Sequence, residues 1–245
     1  MANLFFRPAE LLSEIEALRR LAEGFLAPRS FQLEQLADDI QGLVTNKSGK
    51  VKMEIPENRP LRTRLSIGEF EPADKKTQRR VFAEVTGIWE IEAASHKLGN
   101  PNRPGKKVKP TLLIGFTGLA STVITIFDEK PTEPIVCWKM ELGDANSPGC
   151  FFHTFASADH GFPVPRHPNM FPTPMSAIGF ALGELFQEGW EQLVSGATDP
   201  PQRWRSIQGK RLKALFKWQM KLATEATASP WFAIKAAKPA PEIFV

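Results

Sequence analysis

The chain has 245 residues, long enough to bury a sizeable core as one large domain or two small ones. Its hydrophobic content of 42% and charged content of 24% are ordinary for a globular protein and argue against wholesale disorder. Tyrosine is absent, which excludes any mechanism that uses a tyrosine nucleophile or a phenolic acid. The two cysteines, Cys137 and Cys150, are too few for a disulfide scaffold, so we expect reduced thiols and a cytoplasmic location.

The net charge of +4 permits an acidic partner without requiring one, and the charges are unevenly distributed. Residues 9–45 are net acidic, whereas the basic excess lies in the central loops and in the last predicted helix. The N-terminus lacks the pattern of a secretory signal. The longest apolar stretch, Leu112 to Phe127, is interrupted by polar residues and is too short for a membrane helix, so we expect no membrane association.

The first 45 residues predict a helical hairpin, because apolar residues recur at helical spacing over residues 8–27 and again after Ser30. Pro8 suits the first turn of the first helix, and Ser30 suits the N-cap of the second. A third helix is predicted from Thr173 and Pro174 to about Val194. Its glycines, which lower helix propensity, suggest close packing against another element. A fourth helix is predicted from about Pro201 to Ala226.

The period changes to two in the middle of the chain, which predicts strands. Apolar and polar residues alternate in Val81–Ile91 and in Val136–Leu142. The segment Leu112–Phe127 is a long run of β-favouring residues in which the glycines predict a bend. Phe151–Phe155 is a further short strand, and Arg62–Phe70 is a weaker candidate at the leading edge. Turn signals separate these segments, so a sequential antiparallel order is expected.

The predicted fold class is therefore α+β, with a sequential antiparallel sheet of about five strands packed with an N-terminal helical hairpin and two C-terminal helices. We expect a single domain over residues 1–245. Its predicted parts are the helical hairpin (1–45), the β-meander (60–157), the C-terminal helices (174–226) and an extended tail (227–245). The residues expected to be buried are Trp89, Trp138, Phe151 and Leu185.

One short segment gathers residues that could carry catalysis, namely His153, Asp159, His160 and His167. Imidazole and carboxylate are ligands that zinc or iron needs, and the same groups serve general acid–base chemistry. However, His153 alternates with two phenylalanines on a predicted strand, which favours a hydrogen-bonded core residue. We therefore predict no bound metal and no cofactor, and these four residues are catalytic candidates only if the chain is an enzyme.

The last predicted helix has a one-sided cationic face, because at 100° per residue its apolar residues fall on one side and its basic residues on the other. No acidic residue occurs between Pro200 and Thr224. Its candidate binding residues are Arg203, Lys210, Lys213, Lys217 and Lys221. A face of this kind binds phosphate backbones or acidic protein surfaces, although many such faces are simply solvated.

A second basic segment is the loop Gly99–Pro110, which joins two predicted strands. Its candidate binding residues are Arg103, Lys106, Lys107 and Lys109. A basic loop of this kind could touch nucleic acid or could only increase solubility.

The sequence contains no phosphate-binding P-loop, no dinucleotide-binding fingerprint, no nucleophile elbow, no H-E-x-x-H and no paired C-x-x-C. We therefore predict a binding or assembly subunit without its own catalysis, which contacts a protein partner or larger complex. The contact would use the basic helix face and the apolar tail, which holds Trp231, Phe232, Ile234, Ile243 and Phe244. Two alternatives stay open: a histidine- or metal-dependent hydrolase that uses the His153–His167 segment, and a nucleic-acid-binding protein that uses the last helix and the basic loop.

Overall fold

The computed structural model describes residues 4–28, 30–66, 80–97, 109–118, 120–130, 133–143, 152–156, 167–168 and 170–245. The helices in these ranges are α1 (Pro8–Ala22), α2 (Gln32–Asn46), α3 (Pro174–Val194), α4 (Asp199–Glu225) and α5 (Pro230–Ala236). The strands are β1 (Leu4–Phe6), β2 (Gly49–Ile55), β3 (Leu61–Arg62), β4 (Val81–His96), β5 (Thr111–Phe116), β6 (Ala120–Asp128), β7 (Pro134–Leu142), β8 (Phe152–Ala156) and β9 (His167–Pro168).

Strand β4 is the centre of one antiparallel sheet. Its Ile91 lies opposite Val51 of β2 on one side and opposite Phe116 of β5 on the other, so β2 and β5 pair with opposite sides of β4. Strand β6 pairs with the same side of β4 as β5, beyond a bend near Gly118. Strand β3 pairs with the same side of β4 as β2. Beyond β6 the order is β7, β8 and β9, while β1 pairs with β5. The predicted sequential antiparallel sheet is confirmed.

One face of the sheet packs against the helices. In β4 the residues of one alternating set, including Val85, Trp89 and Ile91, are buried. Between Val85 and Ile91 the intervening residues Thr86, Ile88 and Glu90 are half-buried or exposed on the opposite face. Helix α3 packs on β4 and β6, α2 packs on β2, and α1 reaches β5. The hydrophobic core therefore lies between a half-covered sheet and a layer of helices, as an α+β fold requires.

Helix α4 lies outside this layer, where it packs against α1 and α3. Aromatic rings connect the helices: Phe25 lies 4.8 Å from Phe186 and 5.8 Å from Trp190, and Trp190 lies 6.4 Å from Trp204, measured between ring centroids. None of the helices in the described ranges has both the length and the apolar composition that a bilayer crossing demands.

Several boundaries differ from the predictions. The sheet starts earlier than residue 60, because β1 and β2 also belong to it. Ser30 does not cap α2. Its hydroxyl donates a hydrogen bond to the Ala27 carbonyl, and the helix begins after Phe31. By contrast, Thr173 caps α3 as predicted, within a reciprocal capping box formed with Ser176.

Burial agrees with the prediction at Trp89 and Leu185, which are 1% and 0% exposed. Trp138 is only partly buried. Its strand, β7, lies at the margin of the helical layer, because α3 packs mainly on β4 and β6. Phe151 lies outside the described residues.

The prediction of a wholly extended tail is wrong, because part of the tail is helical. Residues 230–236 form α5, which begins with Pro230 in its first turn, a position where the missing N–H of proline is tolerated. The last residues turn back to the sheet, where Phe5 donates its backbone N–H to the Pro241 carbonyl at 2.7 Å.

Gly179 confirms the expectation that α3 packs closely against another element. A Cβ atom placed on Gly179 would lie 2.5 Å from Cζ2 of Trp204, whose ring is 7% exposed and also contacts Trp190. The absence of a side chain at Gly179 therefore lets α3 and α4 approach. Gly209 in α4 is the opposite case, because nothing lies within 4 Å of its Cβ position.

We expect Gly179→Ala to lower the free energy of unfolding by about 1–3 kcal/mol, because the new methyl group overpacks the contact with Trp204. The matched control is Gly209→Ala, which should raise it by up to about 1 kcal/mol, since alanine favours an exposed helical position. Urea denaturation of both variants measures the two shifts. A Gly179→Ala variant as stable as Gly209→Ala would contradict the close approach of α3 and α4.

Candidate functional site

Helix α4 combines a buried face with a long solvent-exposed face. Its 27 residues span about 40 Å. The buried positions include Trp204, Ile207, Arg211 and Leu215, which recur at helical spacing. The opposite side of the helix faces solvent and carries the five predicted binding cations of α4. Each of the five is exposed, as a one-sided cationic face requires.

A buried ion pair fixes the rotation of α4. Nη1 of Arg211 donates to Oε2 of Glu14 in α1 at 2.5 Å, and both side chains are 0% exposed. Oε1 of Glu14 accepts two further hydrogen bonds, from Oγ1 of Thr173 at 2.8 Å and from Nε2 of Gln208 at 2.6 Å. The guanidinium of Arg211 also lies 5.0 Å from the centroid of the Phe6 ring. The carboxylate thus joins α1, the N-terminus of α3 and α4.

Other acidic residues of α1 act locally or neutralise part of the cationic face. Lys210 donates to Glu10 at 2.6 Å across the two helices. Glu16 is held within α1 by Arg19 and Arg20, and the hydrogen bond from Arg19 is the main cause that lowers the pKa of Glu16 from 4.5 to about 2. The acidic N-terminal region and the basic last helix, which the sequence analysis noted separately, therefore partly compensate each other inside the molecule.

We expect Arg211→Met to lower the free energy of unfolding by about 3–5 kcal/mol, because it leaves the Glu14 carboxylate buried without its cation. The double variant Glu14→Met/Arg211→Met removes both charges and should recover most of that loss. Chemical denaturation of the single variants and the double variant forms a double-mutant cycle. Strictly additive effects would contradict a direct coupling of the two residues.

Two lysines of the cationic face stay uncompensated. Arg203 pairs with Asp199 at 2.8 Å, and Lys221 lies 3.9 Å from Glu225. Lys213 and Lys217 have no acidic partner within the part of the chain that the structure describes.

Exposed apolar side chains interleave with these two lysines. Phe216 is 46% exposed and Met220 is 65% exposed. On a helix that turns about 100° per residue, both share the outward side of α4 with Lys213 and Lys217. We call these four residues the α4 patch. Single exposed apolar residues are common, whereas here two of them lie beside two lysines that have no acidic partner among the described residues.

The tail divides into an exposed part and a core part. Trp231 and Phe232 of α5 are 73% and 70% exposed, and Phe232 borders a cleft of about 380 Å³ between α5 and the end of α4. Phe244 is 1% exposed and stacks on Phe6 at 5.4 Å between ring centroids, and Ile243 packs on the same core. Only part of the apolar tail is therefore available to a partner.

The histidine segment is described only in part. Strands β8 and β9 pair with His153 opposite Pro168 and Thr154 opposite His167, so these two histidine positions lie on neighbouring strands. Asp159 and His160 lie outside the described residues. No group of three potential metal ligands occurs among the residues that are described. His96, in β4, packs against the Phe5 ring with 3.9 Å between the ring centroids.

Two further features are the basic loop and a groove on the sheet. Of the four candidate residues in the basic loop, Lys109 is described and is exposed just before β5, whereas Arg103, Lys106 and Lys107 lie outside the described residues. A groove of about 880 Å³ lies on the face of the sheet opposite the helices, with Glu54 and Glu90 among its lining residues. Its lining includes no histidine and no cysteine. Thr86 and Ser121, which carry hydroxyl groups, also line the groove.

Comparisons with known proteins give no functional lead, since no protein-family model, curated protein or solved structure matches the chain.

Sequence reasoning did not identify the Glu14–Arg211 pair, although a signal for it exists. Glu14 occurs on the apolar stripe of α1 between Leu11 and Leu18, and Arg211 occurs on the apolar stripe of α4. Opposite charges on the apolar faces of two helices predict a buried pair, since lone buried charges are very unfavourable.

Proposed function

We propose that the chain is a binding or assembly subunit without its own catalysis, which docks an acidic protein partner on the α4 patch and the neighbouring α5. The observation that carries this proposal is the combination of Lys213 and Lys217, unpaired among the described residues, with the exposed Phe216 and Met220. The cations attract and orient an acidic partner over a long range, and burial of the apolar side chains contributes favourable free energy of binding.

The mixture of side chains favours a protein over a nucleic acid. The backbone of a nucleic-acid duplex would use the lysines, but its phosphates and sugars would leave Phe216 and Met220 in contact with water or polar groups. A protein surface with apolar side chains between carboxylates satisfies both kinds of residue, as the centre and rim of protein interfaces generally do. Trp231 and Phe232 add two aromatic side chains of the kind enriched at the centres of interfaces.

The pairing pattern narrows the residues that a partner would use. Lys210 is engaged by Glu10, and Arg203 by Asp199, so a partner would have to break these contacts to bind them. Lys213 and Lys217 require no such exchange among the described residues. The proposal therefore centres on the C-terminal half of α4, away from its contact with α1.

We expect Lys213→Glu/Lys217→Glu to weaken binding of the native partner roughly tenfold or more, because two attractive contacts become repulsive. The full-length tagged chain would be purified from its host, with nuclease treatment, and the recovered partner titrated calorimetrically against each variant. The matched control is Lys97→Glu/Lys130→Glu, which makes the same change in net charge at exposed lysines elsewhere. Circular dichroism and thermal unfolding verify the fold.

Unchanged partner affinity in a folded Lys213→Glu/Lys217→Glu variant would contradict docking on the α4 patch. Loss of all bound material on nuclease treatment, with a steep fall of affinity in salt, would support the nucleic-acid alternative instead. A second variant, Trp231→Ala/Phe232→Ala, separates the contribution of α5 from that of α4. Equal weakening by the control variant would mean that net charge, not this surface, controls the binding.

A further inference from the structure

The outward side of α4 carries a regular seam. Gly209, Lys213, Phe216, Met220 and Ala223 follow one another at alternating spacings of four and three residues. This is the spacing of the core positions in a coiled coil, where it keeps one stripe of a helix facing its neighbour. All of these residues are exposed except Ala223, which is half-buried. The seam is therefore distinct from the buried face of Trp204, Ile207 and Leu215.

The seam fits a helix better than a strand or a loop. Its side chains recur about every 5 Å along α4, which is the repeat of a helical turn on a facing helix. A strand would present side chains to one face about every 6.6–7 Å and would lose register with the seam within a few residues. From Gly209 to Ala223 the seam is about 21 Å long, enough for roughly four turns of a partner helix.

The charges of the seam select the partner's chemistry. Lys213 occupies a central position of the repeat and Lys217 lies directly beside it. Glutamate or aspartate at one-turn spacing on a facing helix would lie opposite both, whereas a lysine there would repel them. We infer that the occupant of the α4 patch is an acidic amphipathic helix of a different protein, laid along the seam; this inference rests on the proposed function and specifies its partner.

A second copy that docks through its own α4 is a poorer occupant. Between Pro200 and Thr224 the sequence has no acidic residue, so a second α4 would bring lysines and no carboxylate to the seam. A lipid surface is also disfavoured. Interfacial helices bury a broad apolar face, and the broad apolar face of α4 is already packed against α1 and α3.

The test uses synthetic peptides of roughly 15 residues, which match the length of the seam at about 1.5 Å per residue. The first peptide has leucine at the core positions of a heptad and glutamate beside them. The second contains the same residues in strict alternation, which is typical of a strand. The third replaces glutamate by lysine in the heptad pattern. Each is titrated calorimetrically into the full chain and into Lys213→Glu/Lys217→Glu, and helicity is measured by circular dichroism.

The expected result is that the glutamate heptad peptide binds the wild type and becomes more helical. It should bind Lys213→Glu/Lys217→Glu at least tenfold more weakly, and the lysine heptad peptide should show the reverse preference. Phe216→Ser/Met220→Ser should weaken binding of the glutamate heptad peptide, whereas Lys97→Glu/Lys130→Glu should leave its affinity unchanged.

The inference is overturned if the heptad peptide does not bind, if the alternating peptide binds as tightly, or if binding ignores the charge reversal. It is also overturned if the wild type instead binds phosphatidylserine vesicles, or self-associates in sedimentation, through Lys213 and Lys217. If the peptides fail but the native partner still depends on these lysines, the proposed function stands with a partner that is not helical. If neither peptide binding nor native-partner binding depends on Lys213 and Lys217, both proposals fail.

Discussion

The ion pair between Glu14 and Arg211 is the contact on which the arrangement of the helices depends. Its two residues are 197 positions apart in the chain, and it is a fully buried ion pair between α1 and α4. Apolar contacts are not directional and tolerate rotation, whereas a carboxylate that accepts bonds from Arg211, Thr173 and Gln208 has one geometry. Nε and Nη2 of Arg211 have no hydrogen-bond partner among the described residues, so the desolvation cost of the buried guanidinium is only partly offset by hydrogen bonds.

The orientation of α4 follows from this pair, and the surface follows from the orientation. With Arg211 turned inward, Lys210 meets Glu10, while Lys213, Phe216, Lys217 and Met220 are turned to solvent. The close approach of Gly179 to Trp204 fixes the same helix from the side of α3. Helix α4 therefore links the stability of the core to the proposed docking surface, because one of its faces packs against α1 and α3 and the other carries the α4 patch.

The sheet was largely predictable, because alternation in β4, β6 and β7 is a local property that one buried face imposes. The missed strands show the limit of that reasoning. Val51, Met53 and Ile55 alternate in β2 and could have been recognised, but β1 has three buried residues and no alternation. It forms because β5 and the returning tail offer hydrogen bonds to its backbone, which a sequence pattern does not reveal. Likewise, the half-exposure of Trp138 depends on where α3 ends its contact with the sheet.

For the candidate site, the sequence by itself determined that the last helix has a cationic side and an apolar side, because helical periodicity is set by residues three and four apart. It also determined that an acidic N-terminal region exists. Only the tertiary structure decided that Glu10 and Glu14 form ion pairs with two basic residues of α4, which lie about two hundred positions away in the chain. The same holds for the tail, where Phe244 joins the core and Trp231 stays exposed. These outcomes depend on which distant surfaces meet, and periodicity along the chain carries no information about that meeting.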